Sequence, residues 1–213
     1  MTSKNLSLVR AFALTLAFLA GPRCVGEVAG IEVAPAFRLP PAPDLVELDD
    51  GRPLRLVRAE LGIAQVELVP CDSAVADLWG PSVARAHGER AGGGVVLDLI
   101  ADGGRLRTLA PFPQPPGRYC AARIHLGPPE AGAPTYLFEA LDGSTTVTIA
   151  DSGLADAEIP FGDPLVLTEV GLVGLEFRLD PWAWPLDALD VAGLARRLAR
   201  DAQASICVED ALC

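Results

Sequence analysis

The sequence predicts an all-β protein, an antiparallel β-sandwich with a short C-terminal helix. Runs of β character recur at short intervals, over 53–71, 94–100, 105–112, 118–127, 135–141, 145–150 and 165–180. Turn-forming stretches such as DDGRP, ADGG, PQPPG and LDGS separate them. No helix-length periodicity lies between these runs, which favours paired strands over alternating strands and helices.

The first 26 residues have the layout of a secretory signal peptide. Two basic residues precede an apolar run over 11–20, which is too short to span a membrane. Small residues favour cleavage after Gly26 or after Gly30. A lipid anchor on Cys24 is the alternative, but Arg23 stands where a lipoprotein needs a small residue. We therefore expect an exported protein, periplasmic, cell-surface or secreted, with no membrane span.

Residues 27–52 form a Pro-rich lead-in, in which VAPAFRLPPAP (33–43) is expected to be extended and exposed. Residues 53–213 are expected to form a single β-sandwich domain with its C-terminal helix. About 185 residues remain after the signal peptide, and a chain of that length can bury one core of ordinary size.

One helix is predicted near residues 187–203. In PLDALDVAGLARRLARDAQASIC, apolar positions recur at steps of three and four residues. Asp187 or Asp190 can cap its start, and the arginines near its end suit the helix dipole. We expect this helix to close the sandwich.

The charge balance argues against nucleic acid as a partner. The chain has 17 Lys and Arg against 28 Asp and Glu, for a formal net charge of −11. An acidic surface repels phosphate backbones and anionic membranes.

The cysteines indicate two disulfides. Of five cysteines, Cys24 leaves with the signal peptide. The even number that remains indicates disulfide bonds in an oxidising compartment. We expect Cys71 to pair with Cys120 and Cys207 with Cys213, although three connectivities are open. The spacing fits no zinc pattern.

No enzyme signature is present: GxSxG, HExxH, the P-loop and the Rossmann glycine pattern are all missing from the sequence. We therefore expect a protein that is not an enzyme. Asp151 and Asp156, in ADSGLADAEIP, lack the alternation of a calcium loop, and solvated loop charge is the preferred interpretation.

The chain has only two histidines, His87 and His125. In RYCAARIHL, strand alternation places Cys120, Ala122, Ile124 and Leu126 on the core face and turns His125 to the other face, with Tyr119, Ala121 and Arg123. A neighbouring loop carrying His87 could reach it. Two imidazoles are a minimal site for a borderline metal, and copper binds most tightly in the divalent series.

The order of VELVPC, ARAHG, PPGRYCAARIHLGP and FRLDPWAWPLDALD resembles the MbnP-like group of exported bacterial proteins. The resemblance spans roughly residues 50 to 195. It implies a small β-rich protein that takes part in copper acquisition or handling outside the cytoplasm. It implies His87 and His125 as copper ligands, with Trp79 as the candidate third group; Trp182 or Trp184 could serve instead or simply pack.

The alternative is an exported structural or partner-binding β-sandwich without metal. Both histidines would then be incidental, and DPWAWP would be an aromatic anchor for a cell-envelope protein partner or a lid packed under the helix.

Overall fold

The computed structural model describes residues 31–47, 51–71, 94–169, 171–183 and 190–208. In chain order the strands are β1 (Ile31–Arg38), β2 (Leu45–Glu47), β3 (Pro53–Pro70), β4 (Val95–Asp98), β5 (Leu106–Thr108), β6 (Phe112–Gln114), β7 (Gly117–Leu126), β8 (Tyr136–Asp142), β9 (Thr145–Asp151), β10 (Ala155–Leu167), β11 (Leu172–Arg178) and β12 (Gln203–Val208). A 3-10 turn over Pro181–Ala183 and the helix α1 (Val191–Asp201) lie between the last two strands.

The strands form two sheets, which confirms the predicted all-β sandwich. The five-stranded sheet has the order β12-β11-β1-β5, with β6 also paired to β1. The seven-stranded sheet has the order β10-β7-β3-β8-β9, with β2 and β4 also paired to β3. One pair departs from the predicted antiparallel arrangement: β1 and β11 run parallel, so the five-stranded sheet is mixed.

The Pro-rich lead-in supplies a core strand, and the prediction that it is exposed was wrong. In β1, Val33 and Phe37 are fully buried, and the Phe37 ring stacks on Phe177 with centroids 5.2 Å apart. Pro35 pairs with Leu175 on β11, but its carbonyl accepts a hydrogen bond from the Leu109 N–H on the opposite side of β1. Its missing N–H therefore also belongs to that side, where Pro35 falls between the stretch paired with β6 and the stretch paired with β5. Burial of alternate apolar side chains outweighed the proline signal here.

The run over 165–180 is two elements, although the sequence suggested one long strand. Its first part ends β10, and its second part is β11 in the opposite sheet. β10 begins at Ala155, so ADSGLADAEIP is largely strand. The interpretation of Asp156 as a loop residue was wrong, whereas its charge is solvated as predicted, with the side chain 59% exposed. The alternation that identifies this strand is visible in Ala157 and Ile159, which are fully buried.

The C-terminal helix is confirmed. The side chain of Asp190 caps it by accepting a hydrogen bond from the Gly193 N–H, as predicted for one of the two capping candidates; Asp187 lies outside the described residues. Val191, Leu194 and Leu198 are buried where the helix packs against β10. The chain leaves the helix at Ala202 and enters β12, a strand the sequence did not predict.

Candidate metal site around His125

His125 lies in the middle of three adjacent strands of the seven-stranded sheet. Its direct cross-strand neighbours are Gln65 on β3 and Asp156 on β10. Two residues earlier on β7, and on the same face, Arg123 lies between Glu67 on β3 and Glu158 on β10. The residues from 65 to 158 that meet here are distant in sequence and are brought together only by strand register.

The predicted alternation of β7 holds at its C-terminal half. Ala122, Ile124 and Leu126 are buried, while the His125 side chain is 27% exposed. The first half differs from the prediction, because Tyr119 and Ala121 are also buried. The pairing with β3 shifts register between Val69 and Pro70, close to these residues.

Both ring nitrogens of His125 face carboxylates. Nδ1 lies 2.7 Å from Oδ1 of Asp156, a short hydrogen-bond distance. Nε2 lies 3.5 Å from Oε1 of Glu67. The imidazole is therefore held on the polar face of the sheet between two acidic groups from different strands.

Arg123 holds the adjacent carboxylates in place. It donates a hydrogen bond from Nη1 to Oε1 of Glu67 at 2.8 Å and from Nη2 to Oε2 of Glu158 at 2.9 Å. The hydrogen bond to Glu158 is the main reason that the pKa of Arg123 is raised above its ordinary value. The guanidinium is thus charged at any physiological pH, and it fixes the Glu67 carboxylate beside the histidine.

This arrangement has a specific chemical requirement. A neutral imidazole that donates from Nδ1 to Asp156 presents a lone pair at Nε2. That lone pair faces Oε1 of Glu67, which is also an acceptor, so the two groups are satisfied by a species that offers hydrogens or positive charge to both, such as a bridging water. A metal ion bound by Nε2 is another species that meets this requirement.

Three of the four other candidate ligands lie outside the described residues. His87 and Trp79 lie in 72–93, and Trp184 lies in 184–189. Trp182 packs against the core, and its buried Nε1 has no hydrogen-bond partner among the described residues. Their roles as ligands stay predictions.

One predicted disulfide is confirmed. Cys71 and Cys120 are bonded, with Cα atoms 4.7 Å apart, and the bridge joins the end of β3 to β7. It anchors the chain just where the segment that carries His87 begins. Cys213 lies outside the described residues, so the pairing of Cys207 with Cys213 stays a prediction.

Sequence reasoning missed Glu67 as a neighbour of His125 and gave Asp156 a different role. The alternation in VELVP puts Glu67 on the polar face of β3, and that signal was available. The register that aligns it with β7 was not, because nothing local fixes the pairing of strands so far apart in the chain.

Across the described ranges, no group of three or more His, Cys, Asp or Glu side chains is arranged to hold a metal ion. Within the same ranges, no helix is long and apolar enough to cross a membrane. Comparisons of the chain with protein-family models, with curated proteins and with solved structures find no match.

Proposed function

We propose that this chain is an exported protein that binds one copper ion and acts in copper acquisition or handling outside the cytoplasm. In this proposal Nε2 of His125 is a ligand, Glu67 is a neighbouring oxygen donor, and His87 supplies the second imidazole. Trp79 is the candidate further group that the resemblance to MbnP-like proteins implies.

The observation that carries the proposal is the short contact between Nδ1 of His125 and Asp156, 2.7 Å. In metal sites, a ligating histidine almost always donates its other ring N–H to a carboxylate, a carbonyl or water, which fixes the tautomer and raises the basicity of the ligating nitrogen. Asp156 occupies that position, and Nε2 is left facing Glu67 at 3.5 Å.

Copper is the metal that these donors favour. Imidazole suits borderline metals, and affinity in the divalent series is highest for Cu(II). A thiolate site is disfavoured because Cys71 and Cys120 are joined in a disulfide.

Chain geometry allows His87 to join the site. Gly94 packs closely against Ile63, since a Cβ there would lie 3.1 Å from the Ile63 carbonyl oxygen, and Ile63 pairs with Leu126, the residue after His125. His87 precedes Gly94 by seven positions. An extended chain spans about 3.5 Å per residue, so His87 is within reach of the His125 ring.

A copper titration against a weak competing chelator tests the proposal. His125→Ala and His87→Ala should each lose most of the affinity, and Asp156→Asn should lose about tenfold to a hundredfold because it is an outer partner of the ligand. Glu67→Gln should weaken binding. Glu158→Gln is the matched control, because this carboxylate contacts Arg123 and not the histidine, and it should bind like wild type. Equal copper binding by wild type and all five variants would reject the site.

The second candidate is the metal-free structural or partner-binding module, and one observation favours it. The contacts of His125 with Asp156 and Glu67 also fit a protonated imidazole that ties β3, β7 and β10 together. In that case His125→Ala lowers the free energy of unfolding in metal-free protein by about 1 kcal/mol, and copper does not bind stoichiometrically. The same titration, run beside urea unfolding of the metal-free protein, separates the two candidates.

A further inference from the structure

The strand β9 is an edge strand of the seven-stranded sheet in the described part of the chain. Among the strands that the structure describes, it pairs with β8 alone. Its seven residues, TTVTIAD, run without a proline or a register shift, and Asp151 at its end is its one charged residue. Natural sheets usually protect such an edge with charges, prolines, bulges or very short strands.

The other ends of the two described sheets carry these protections. β10 contains Pro160, Asp163 and Pro164, shifts register after Pro160, and is covered by α1. β5 and β6 have three residues each, and β6 contains Pro113. β12 contacts β10 across the sandwich. β9 is thus the long, unprotected edge of the described part.

The hairpin register shows which backbone groups face outward. Asp142 pairs with Thr145 across the two-residue turn 143–144, and the pair flanking such a turn exchanges both of its hydrogen bonds. Alternate residues of β9 therefore bond to β8, and the others direct their N–H and C=O groups away from the sheet. These outward residues are Thr146, Thr148 and Ala150.

We propose that the β9 edge pairs with the β9 edge of a second copy of this chain, antiparallel and centred on Thr148, so that the seven-stranded sheet continues across a two-fold dimer. A two-fold axis needs a surface that is complementary to itself. With Thr148 opposite its own copy, its outward N–H and C=O groups bond reciprocally, and Thr146 pairs with Ala150.

The side chains match in this register. Val147 lies opposite Ile149 of the second copy; both are half-buried at the rim of the core, and pairing covers them further. The β-branched Thr148 side chains lie side by side, a favourable cross-strand pair. The chain has a net charge of −11, yet this register brings no carboxylates together, because Asp151 lies opposite the neutral Thr145. Centring on Ile149 would instead press Asp151 against Val147.

Sedimentation equilibrium of the purified protein over a range of concentrations tests the dimer. Wild type should show a reversible monomer–dimer equilibrium. Thr148→Pro removes the central outward N–H from both copies, and proline is tolerated on an edge strand where the N–H faces solvent. It should raise the dimer dissociation constant at least about tenfold. Thr148→Val keeps the N–H and the branched side chain, and is the matched control that should dimerise like wild type.

Two further variants guard against misfolding and test the register. Thr148→Lys places two ammonium groups opposite each other without altering the backbone, and it should also weaken the dimer. Thr145→Lys faces Asp151 of the second copy, and it should leave the dimer intact or strengthen it. Circular dichroism establishes that each variant is folded. The proposal is overturned if wild type stays monomeric at every concentration, even where its β9 edge binds an added, unrelated extended peptide. It is also overturned if Thr148→Pro and Thr148→Lys are folded and dimerise like wild type.

Discussion

Asp151 connects the end of β9 to the start of the helix, and its removal should weaken the whole sandwich. Its Oδ2 accepts a hydrogen bond from the Val191 N–H at 2.9 Å, in the first turn of α1, and its Oδ1 accepts one from the Gly153 N–H at 2.8 Å. Val191 is buried against the core. The carboxylate therefore satisfies a free helix N–H and fixes the helix on the sheet.

The expected loss follows from these bonds. Replacing a helix-capping carboxylate costs about 1 kcal/mol, and a hydrogen bond to a charged group about 1.5 kcal/mol or more. Asp151→Ala should therefore lower the free energy of unfolding by about 2 kcal/mol. Asp151→Asn keeps one acceptor oxygen and should lose about half as much. Asp142→Ala, on the same hairpin, breaks an exposed ion pair with Arg52 and should cost about 0.5 kcal/mol or less.

The effect of Asp151 should depend on pH. The hydrogen bond from the Val191 N–H, followed by that from Gly153, holds the pKa of this carboxyl below its usual value. A carboxyl whose pKa is lower in the folded state stabilises the fold above its unfolded pKa, about 3.9, and that contribution is lost as the pH falls through the folded pKa. The stability difference between wild type and Asp151→Ala should thus be full at pH 7 and should shrink below about pH 4.

Urea unfolding followed by far-UV circular dichroism, repeated from neutral to acidic pH, measures these differences. Equal stability of Asp151→Ala and Asp142→Ala at neutral pH would refute this role of Asp151. A wild-type advantage over Asp151→Ala that does not change as the pH is lowered would also refute it.

Three other variants test how the sheet is fixed. A Cβ at Gly62 would collide with the Gly127 carbonyl oxygen, so Gly62→Ala should cost about 2 to 3 kcal/mol in urea unfolding. Gly162→Ala is the control: a Cβ there meets nothing within 4 Å, and stability should change by about 0.5 kcal/mol at most. Equal effects of the two substitutions would contradict the close approach of Gly62 to Gly127. Removing the disulfide between Cys71 and Cys120, separated by 49 positions, should cost about 4 kcal/mol by the chain-entropy estimate, and unchanged stability of the double serine variant would contradict it.

The fold class could be predicted because its signals are local. Turn sequences mark where strands end, and alternation marks which side chains are buried, as in Ala122, Ile124 and Leu126. The lead-in was misjudged for the same reason. Its prolines are a local signal for an exposed segment, while the parallel pairing of β1 with β11 depends on residues about 140 positions further along the chain.

The candidate site was predictable only in part. Alternation correctly turned His125 away from the apolar face, because that property belongs to β7 alone. The carboxylates on either side of the ring come from β3 and β10, and the register of three strands decides that Glu67 and Asp156 meet it. A sequence pattern carries the alternation of each strand but not its alignment with the next.

The most direct test of the account is an electron paramagnetic resonance spectrum of the protein with one equivalent of Cu(II), compared between wild type and His125→Ala. If Nε2 of His125 binds copper while Asp156 holds Nδ1, the wild-type spectrum shows coupling to two imidazole nitrogens from a single, uniform site. His125→Ala loses the coupling to one of these nitrogens and releases copper to a weak chelator. Identical spectra for the two proteins, or a wild-type spectrum of copper held only by water and carboxylates, would contradict the proposed copper site.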